Sequence, residues 1–237
     1  MLLAAGRGER MRPLTERIPK PLLEVGGKPL IGWHLERLAA AGFRDVVINH
    51  AHLGSMIEEA LGDGSGHGLR IRYSREPEPL ETAGGIARAL PLLGDSAFLV
   101  VNADIYCEFD FRALEPCLER LGGTGAGDLA HLVLVPNPPQ HPGGDFALTS
   151  GRADTKGAPR LTFSGIGAYR RELFSPIRAG NKAKLAPLLR EAMARERVSG
   201  EVFRGRWIDV GTPQRLAALD QMLHRDSGEG LRTRVAE

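Results

Sequence analysis

In its first hundred residues this chain alternates short apolar runs with segments of helical period, and that rhythm admits few folds. "MLLAA", Met1–Ala5, is an apolar run cut short by Gly6. "PLIGWHLERLAAAG", Pro29–Gly42, has apolar residues at helical spacing, with Pro29 suited to the first turn and Gly42 to the stop. "DVVIN" (Asp45–Asn49) then reads as a buried strand, "GSMIEEAL" (Gly54–Leu61) as a helix and "LRIRYS" (Leu69–Ser74) as a half-buried strand. "TAGGIARALPLL" (Thr82–Leu93) reads as a helix, and "AFLVVNAD" (Ala97–Asp104) as a strand ending in polar residues. Strands separated by helices predict a parallel sheet covered on both faces, an α/β class.

The second half changes character. "HLVLV" (His131–Val135), "DFALT" (Asp145–Thr149) and "LTFSGIGAY" (Leu161–Tyr169) are short strands between Gly/Pro loops. "KLAPLLREAMARE" (Lys184–Glu196) reads as a helix, "VSGEVFRGRWIDVGT" as a pair of strands, and "PQRLAALDQMLHR" (Pro213–Arg225) as a helix. The segments 121–128, 141–145 and 151–159 read as loops, those at 122–128 and 151–159 free to move. Asp226–Glu237 reads as a polar tail, leaving one domain over residues 1–225. With 237 residues and 42% hydrophobic content the chain can bury a sizeable core. A net charge of +2 gives no basic field for nucleic acid, and no apolar run is long enough for a membrane span. No leader is visible, and Cys107 and Cys117 form no CxxC pair, so they read as ordinary thiols of a reducing cytoplasm.

The stretch "LAAGRGERMRPLTERIPKP", Leu3–Pro21, places two glycines and five cations directly behind the first apolar run. It holds only the first half of G-x-G-x-x-G, since Met11 occupies the third glycine position, and it is not a P-loop. Backbone N–H groups of Gly6 to Glu9 can form an anion-binding concavity, while Arg10 offers a planar fork and Lys20 a point charge framed by prolines. A solvated basic loop is the plain alternative, but it would not need the frame "PKP".

Taken with "PKPLLEVGGKPLI", this motif resembles the signature of the sugar-phosphate nucleotidyltransferases, which make nucleoside diphosphate sugars. The resemblance implies a Rossmann-like single domain with a mixed, largely parallel sheet flanked by helices. It implies Arg10 and Lys20 as catalytic residues on a triphosphate, with Leu3, Ala5, Gly6, Gly8, Glu9, Glu81, Thr82 and Gly85 around the nucleotide. Asp104, at the end of "FLVVNAD", and Asp209, in "RWIDVGTP", match the pair that holds Mg²⁺ in that family; alone, each could be a turn or cap residue. Transfer between two phosphates needs such a cation, because sugar phosphate and triphosphate repel one another. Asn102, Asp145, Ser164 and Gly165 are carried over to the sugar phosphate, although Asn102 could be a strand-end cap and Asp145 a turn.

"PLETAGGI", "INHAHLG", "LPLLGD" and "KLAPLLREAM" are similar to one branch, the N-acetylmuramate α-1-phosphate uridylyltransferases of peptidoglycan recycling. That branch implies UTP as donor. Guanylyl or thymidylyl transfer to another hexose 1-phosphate stays open, and a nucleotide-sugar sensor is the rival of another class. A dinucleotide oxidoreductase would need an acidic residue where Asn49 stands. Small-molecule substrates and a monomer or loose homodimer without a further domain are expected. His50 and His52, the turn "DGSGHG" and Trp33 read as structural, and "TFSGIG" is not a nucleophile elbow because Thr162 replaces its first glycine.

Overall fold

The computed structural model describes residues 1–123 and 127–234. In chain order the elements are β1 (Leu2–Leu3), β2 (Glu24–Val25), β3 (Lys28–Pro29), α1 (Leu30–Ala40), β4 (Asp45–His50), α2 (Gly54–Leu61) and β5 (Arg70–Arg75). There follow α3 (Glu81–Leu93), β6 (Phe98–Asn102), β7 (Ile105–Cys107), α4 (Glu115–Gly122), β8 (Ala130–Val135), β9 (Phe146–Thr149) and β10 (Arg152–Asp154). The chain closes with β11 (Arg160–Tyr169), α5 (Leu185–Ala194), β12 (Val198–Val202), β13 (Trp207–Asp209) and α6 (Pro213–Arg234).

Nine strands form the central sheet in the order β5-β4-β1-β6-β11-β8-β12-β10-β9. Strands β5, β4, β1 and β6 are parallel; β11 runs against β6 and β8, while β12 is parallel to β8. Through β10, antiparallel to both neighbours, β9 regains the common direction, so within this sheet β10 and β11 alone run the other way. The sheet is therefore mixed and largely parallel, as expected. Arg160 and Leu161 of β11 also pair with β9, which curls this half of the sheet back on itself.

Alternation along each strand sends side chains to two cores. On β4, Val46 and Ile48 face one core while Val47 faces the other; on β6, Leu99 and Val101 divide from Phe98 and Val100 in the same way. Ile31, Leu35 and Leu38 of α1 and Ile57 and Leu61 of α2 cover the first face. Ile86 and Ala89 of α3 and Leu189 and Met193 of α5 cover the second. Leu219 and Leu223 of α6 pack with Val25, Tyr106 and Val210 in a smaller cluster that ties the end of the chain to the β7 region.

The structure corrects several sequence expectations. Both strands of "VSGEVFRGRWIDVGT" form, but not as a hairpin: β12 joins the sheet beside β8, whereas β13 pairs with β7. The segment 151–159 contains β10, hydrogen-bonded on both sides, and is not a free loop. The segment 122–128 begins as the last residue of α4, and its residues 124–126 lie outside those described. Helix α6 continues past Arg225 to Arg234, through most of the expected tail. Both thiols are buried, and burial pushes Cys107 and Cys117 up to about 11, as ordinary unreactive cysteines require. Among the described residues no helix is long and apolar enough to cross a membrane.

Candidate active site

The carboxyl ends of β1, β4 and β6 open into a cleft of about 660 Å³, the place where an α/β sheet binds ligands. Leu3, Ala5, Gly6, Gly8, Glu9 and Arg10 all line it. Gly8 is left-handed (φ 62°), and its carbonyl accepts from both Met11 N (2.8 Å) and Thr15 Oγ1 (2.8 Å). A Cβ there would stand 2.8 Å from Thr15 Cγ2, so glycine is required by both space and conformation. Gly6, by contrast, has open space on its Cβ side. Met11 is buried and anchors the short turn that carries Arg10.

Lys20 opens a second turn between Pro19 and Pro21 and is only 6% exposed. Its Nζ donates to Asp104 Oδ2 at 2.7 Å, across 84 residues of sequence. The lysine is thus not the solvated surface residue that the plain reading allowed; it points at one of the two predicted metal carboxylates.

The other carboxylate arrives on a two-stranded ribbon. In the β7–β13 pair Asp209 stands opposite Ile105, and Val210 N donates to the Asp104 carbonyl at 3.2 Å. The ribbon thus sets Asp104 and Asp209 at adjoining backbone positions, and two hard oxygen donors suit Mg²⁺, an ion usually held by one or two carboxylates plus substrate phosphates. Among the described residues no group of three His, Cys, Asp or Glu could hold a metal on its own. Next along the chain, Gly211 lines the cleft, and a Cβ on it would run into the Arg215 guanidinium and come within 3.2 Å of Arg10 Nη2.

His34 of α1 fixes the start of this ribbon: its Nε2 lies 2.7 Å from the Ile105 carbonyl, and Nδ1 is buried without a hydrogen-bond partner. That pattern is the neutral ring donating from Nε2. Burial drives its pKa down to about 4. The unfolded chain takes up a proton below 6.5 and the folded chain does not, so stability is complete above 6.5 and falls as pH drops towards 4. The loss amounts to about 3 kcal/mol. Melting temperatures measured across that window should flatten in His34→Gln; an unchanged slope would assign the acid loss to other groups.

On the opposite wall Asn49 and Glu76, both buried, form the floor of a second lobe. Asn49 Oδ1 accepts from Ala4 N (3.0 Å) and its Nδ2 donates to Glu76 Oε1 (2.6 Å), while Glu76 Oε2 accepts from Leu80 N (2.9 Å). Gly85 lies against this pair; a Cβ on it would be 2.7 Å from both Asn49 Nδ2 and Glu76 Oε1. Two adjacent glycines in a helix each cost about 1 kcal/mol against alanine, and here space demands both, since Gly84 packs on the Asn181 carbonyl. Gly85→Ala should destabilise the protein by ~1–3 kcal/mol and raise the nucleotide KM, both read from urea melts and initial rates. An unaffected KM would remove this floor from the nucleotide site. Glu81, at φ 63°, and Thr82 line the lobe above it, and Glu78 and Lys182 (2.7 Å apart) border it.

A family model described as nucleotidyl transferase matches residues 1–142. An N-acetylmuramate α-1-phosphate uridylyltransferase of Neisseria meningitidis serogroup B is 58% identical over 220 residues, covering 91% of this chain and 94% of that protein. The chain belongs to the nucleotidyl transferase family. A mannose-1-phosphate guanyltransferase of Aspergillus fumigatus is 36% identical over 60% of this chain, which spans 42% of that longer protein. Among solved structures, a Bacillus anthracis protein described as a glucose-1-phosphate thymidylyltransferase shares the fold, with a TM-score of 0.80 at 20% identity over 94% of this chain and 93% of its own.

For a nucleotidyltransferase the remaining expected residues are placed unevenly. Asn102 lines the cleft, and Gly165 (φ 84°) sits against it at a β-bulge of β11; a Cβ would be 2.7 Å from Asn102 Nδ2. Ser164 belongs to the same bulge, but its hydroxyl is buried and engaged, donating to the Val133 carbonyl (2.6 Å) and accepting from Ile166 N (3.1 Å). Asp145 accepts from Phe163 N (2.8 Å) and lies 3.1 Å from His141 Nε2. Gly85, Asp145, Ser164, Gly165 and Asp209 are not in the lining of the 660 Å³ cleft. Asn49, Glu76, Lys182, Gly211 and Arg215 belong around it and went unread as site residues. Of these, Glu76 alone carried a local signal, an acidic residue just before the glycine-opened helix.

Proposed function

We propose that this nucleotidyltransferase moves the uridylyl group of UTP onto N-acetylmuramate α-1-phosphate, releasing pyrophosphate, with Mg²⁺ at Asp104 and Asp209. The observation that carries the reaction class is one cleft lined by the glycine loop, Arg10, Lys20 and Asp104, with Asp209 brought alongside Asp104 by the β7–β13 ribbon. The acceptor and the base rest on the Neisseria relative, similar over nearly the full length of both chains.

In this reading the N–H groups of the glycine loop and Arg10 hold the β- and γ-phosphates, and Lys20 turns from Asp104 towards the phosphate oxygens where charge develops. A divalent cation held by Asp104 and Asp209 would neutralise the repulsion between the two phosphates. No base is required, because a sugar 1-phosphate is already anionic. Thr82 and the Asn49–Glu76 floor, which Gly85 leaves room for, hold the base, and Asn102, backed by Gly165, borders the sugar phosphate. Positioning supplies most of the acceleration.

Phosphorus NMR of UTP, N-acetylmuramate 1-phosphate, Mg²⁺ and the protein should show a new pair of coupled diphosphate signals and free pyrophosphate in equal amounts. Release of inorganic phosphate instead would place the chemistry at another phosphorus and overturn the proposal. The fungal guanyltransferases keep a second reading in play, in which the same cleft takes GTP and mannose 1-phosphate.

A further inference from the structure

Arg215 violates three local preferences at once. It stands in the first turn of α6, where the helix dipole disfavours a cation. It shares the Gly211 corner with Arg10, a second cation. Its Nε and Nη2 are shut off from solvent without a hydrogen-bond partner in the chain, although Nη2 lies 3.1 Å from Asp209 Oδ2. Conflicts of this kind gather at functional sites, and the feature here that gains from them is Asp209.

The same arrangement stands on the other carboxylate, where Lys20 Nζ lies 2.7 Å from Asp104 Oδ2. Each aspartate thus has its own cation, and the four groups neutralise one another before any ligand arrives. We infer that Arg215 is a positioning residue: it holds one oxygen of Asp209 and competes with a bare divalent cation, so that the metal enters together with the triphosphate. A bare ion has to displace two internal cations and gains two carboxylates. An ion carried by a triphosphate brings the anionic oxygens to which Lys20 and Arg10 can turn. Arg215 faces Asp209 and acts through it. The inference rests on the assignment of Asp104 and Asp209 to the metal.

The test is Mn²⁺ binding without nucleotide, followed by electron paramagnetic resonance of the free ion. Arg215→Met should tighten bare Mn²⁺ by about tenfold, and Arg215→Lys, which keeps the charge, should stay within about threefold of the parent. Turnover should fall in Arg215→Met mainly through kcat. A merely structural arginine would leave Mn²⁺ binding unchanged or weaken it, and either result overturns the inference. Should Arg215→Met fail to fold, Arg215→Gln reads the same quantity. Asp209→Asn separates the two levels: if it leaves Mn²⁺ binding untouched both with and without UTP, the metal assignment itself fails. If it weakens binding while the neutral Arg215 variant does not tighten it, only the role of Arg215 fails.

Discussion

Lys20→Met should lose ~10²–10³ or more in kcat while the chain keeps its fold, because a preorganised donor at the reacting phosphate is worth that much. The two sides of the pair predict the stability outcome. Lys20 is buried among Gly8, Pro19 and Pro21, so an unbranched apolar side chain fills its path, and the carboxylate left behind is about two-fifths exposed and solvated. The melting temperature should therefore move by only a few degrees. Initial rates at saturating UTP, set beside a thermal melt of the same sample, separate the two quantities. A folded Lys20→Met protein with parental kcat would remove the lysine from the chemistry.

Asp104→Asn is expected to be the more damaging change. It removes one of the two carboxylates proposed for Mg²⁺, for which we expect a loss of ~10³ or more in turnover, and extra Mg²⁺ should restore only part of it. It also strands the Lys20 ammonium, which is 7% exposed along its side chain, beside a neutral amide. Breaking a fully buried pair costs about 3–5 kcal/mol; with one partner well exposed, a cost of about 1–2 kcal/mol is expected. The double variant Lys20→Met/Asp104→Asn should recover that stability without recovering activity. A double variant less stable than Asp104→Asn would show that the ion pair is not what the single change breaks.

Much of the fold could be read from periods in the chain. Strands β4 and β6 and helices α1, α2 and α3 have local patterns that agree with their burial, and each is within two residues of its expected limits. What stayed hidden is held by distant partners. The ribbon β7–β13 joins Ile105–Cys107 to Trp207–Asp209, and three-residue strands carry too little period to announce a partner a hundred residues away. Helix α4, eight residues long, was hidden by its brevity.

The site divides in the same way. Gly6, Gly8, Arg10 and Lys20 are neighbours in sequence and Asp104 stands just past the end of β6, so one motif and one strand end were enough to bring them to the same edge of the sheet. Lys182 reaches the cleft because Ala183 O accepts from both Ala83 N and Gly84 N, a tertiary docking onto α3 that no local pattern encodes. Arg215 is one cation on an amphipathic helix, where a charge ordinarily reads as part of the solvated face; only its closure around Asp209 sets it apart. For Ser164 and Asp145 the structure adds engaged partners, the Val133 carbonyl and the Phe163 amide, that account for both residues through the bulge and turn they support.

The most direct test of the account is pyrophosphate release with Mg²⁺, crossing the four nucleoside triphosphates with the 1-phosphates of N-acetylmuramate, N-acetylglucosamine, glucose and mannose. The account predicts the highest kcat/KM for UTP with N-acetylmuramate 1-phosphate, and loss of that turnover in Lys20→Met. Preferred turnover of GTP with mannose 1-phosphate, or silence across the whole grid from folded protein, would contradict it.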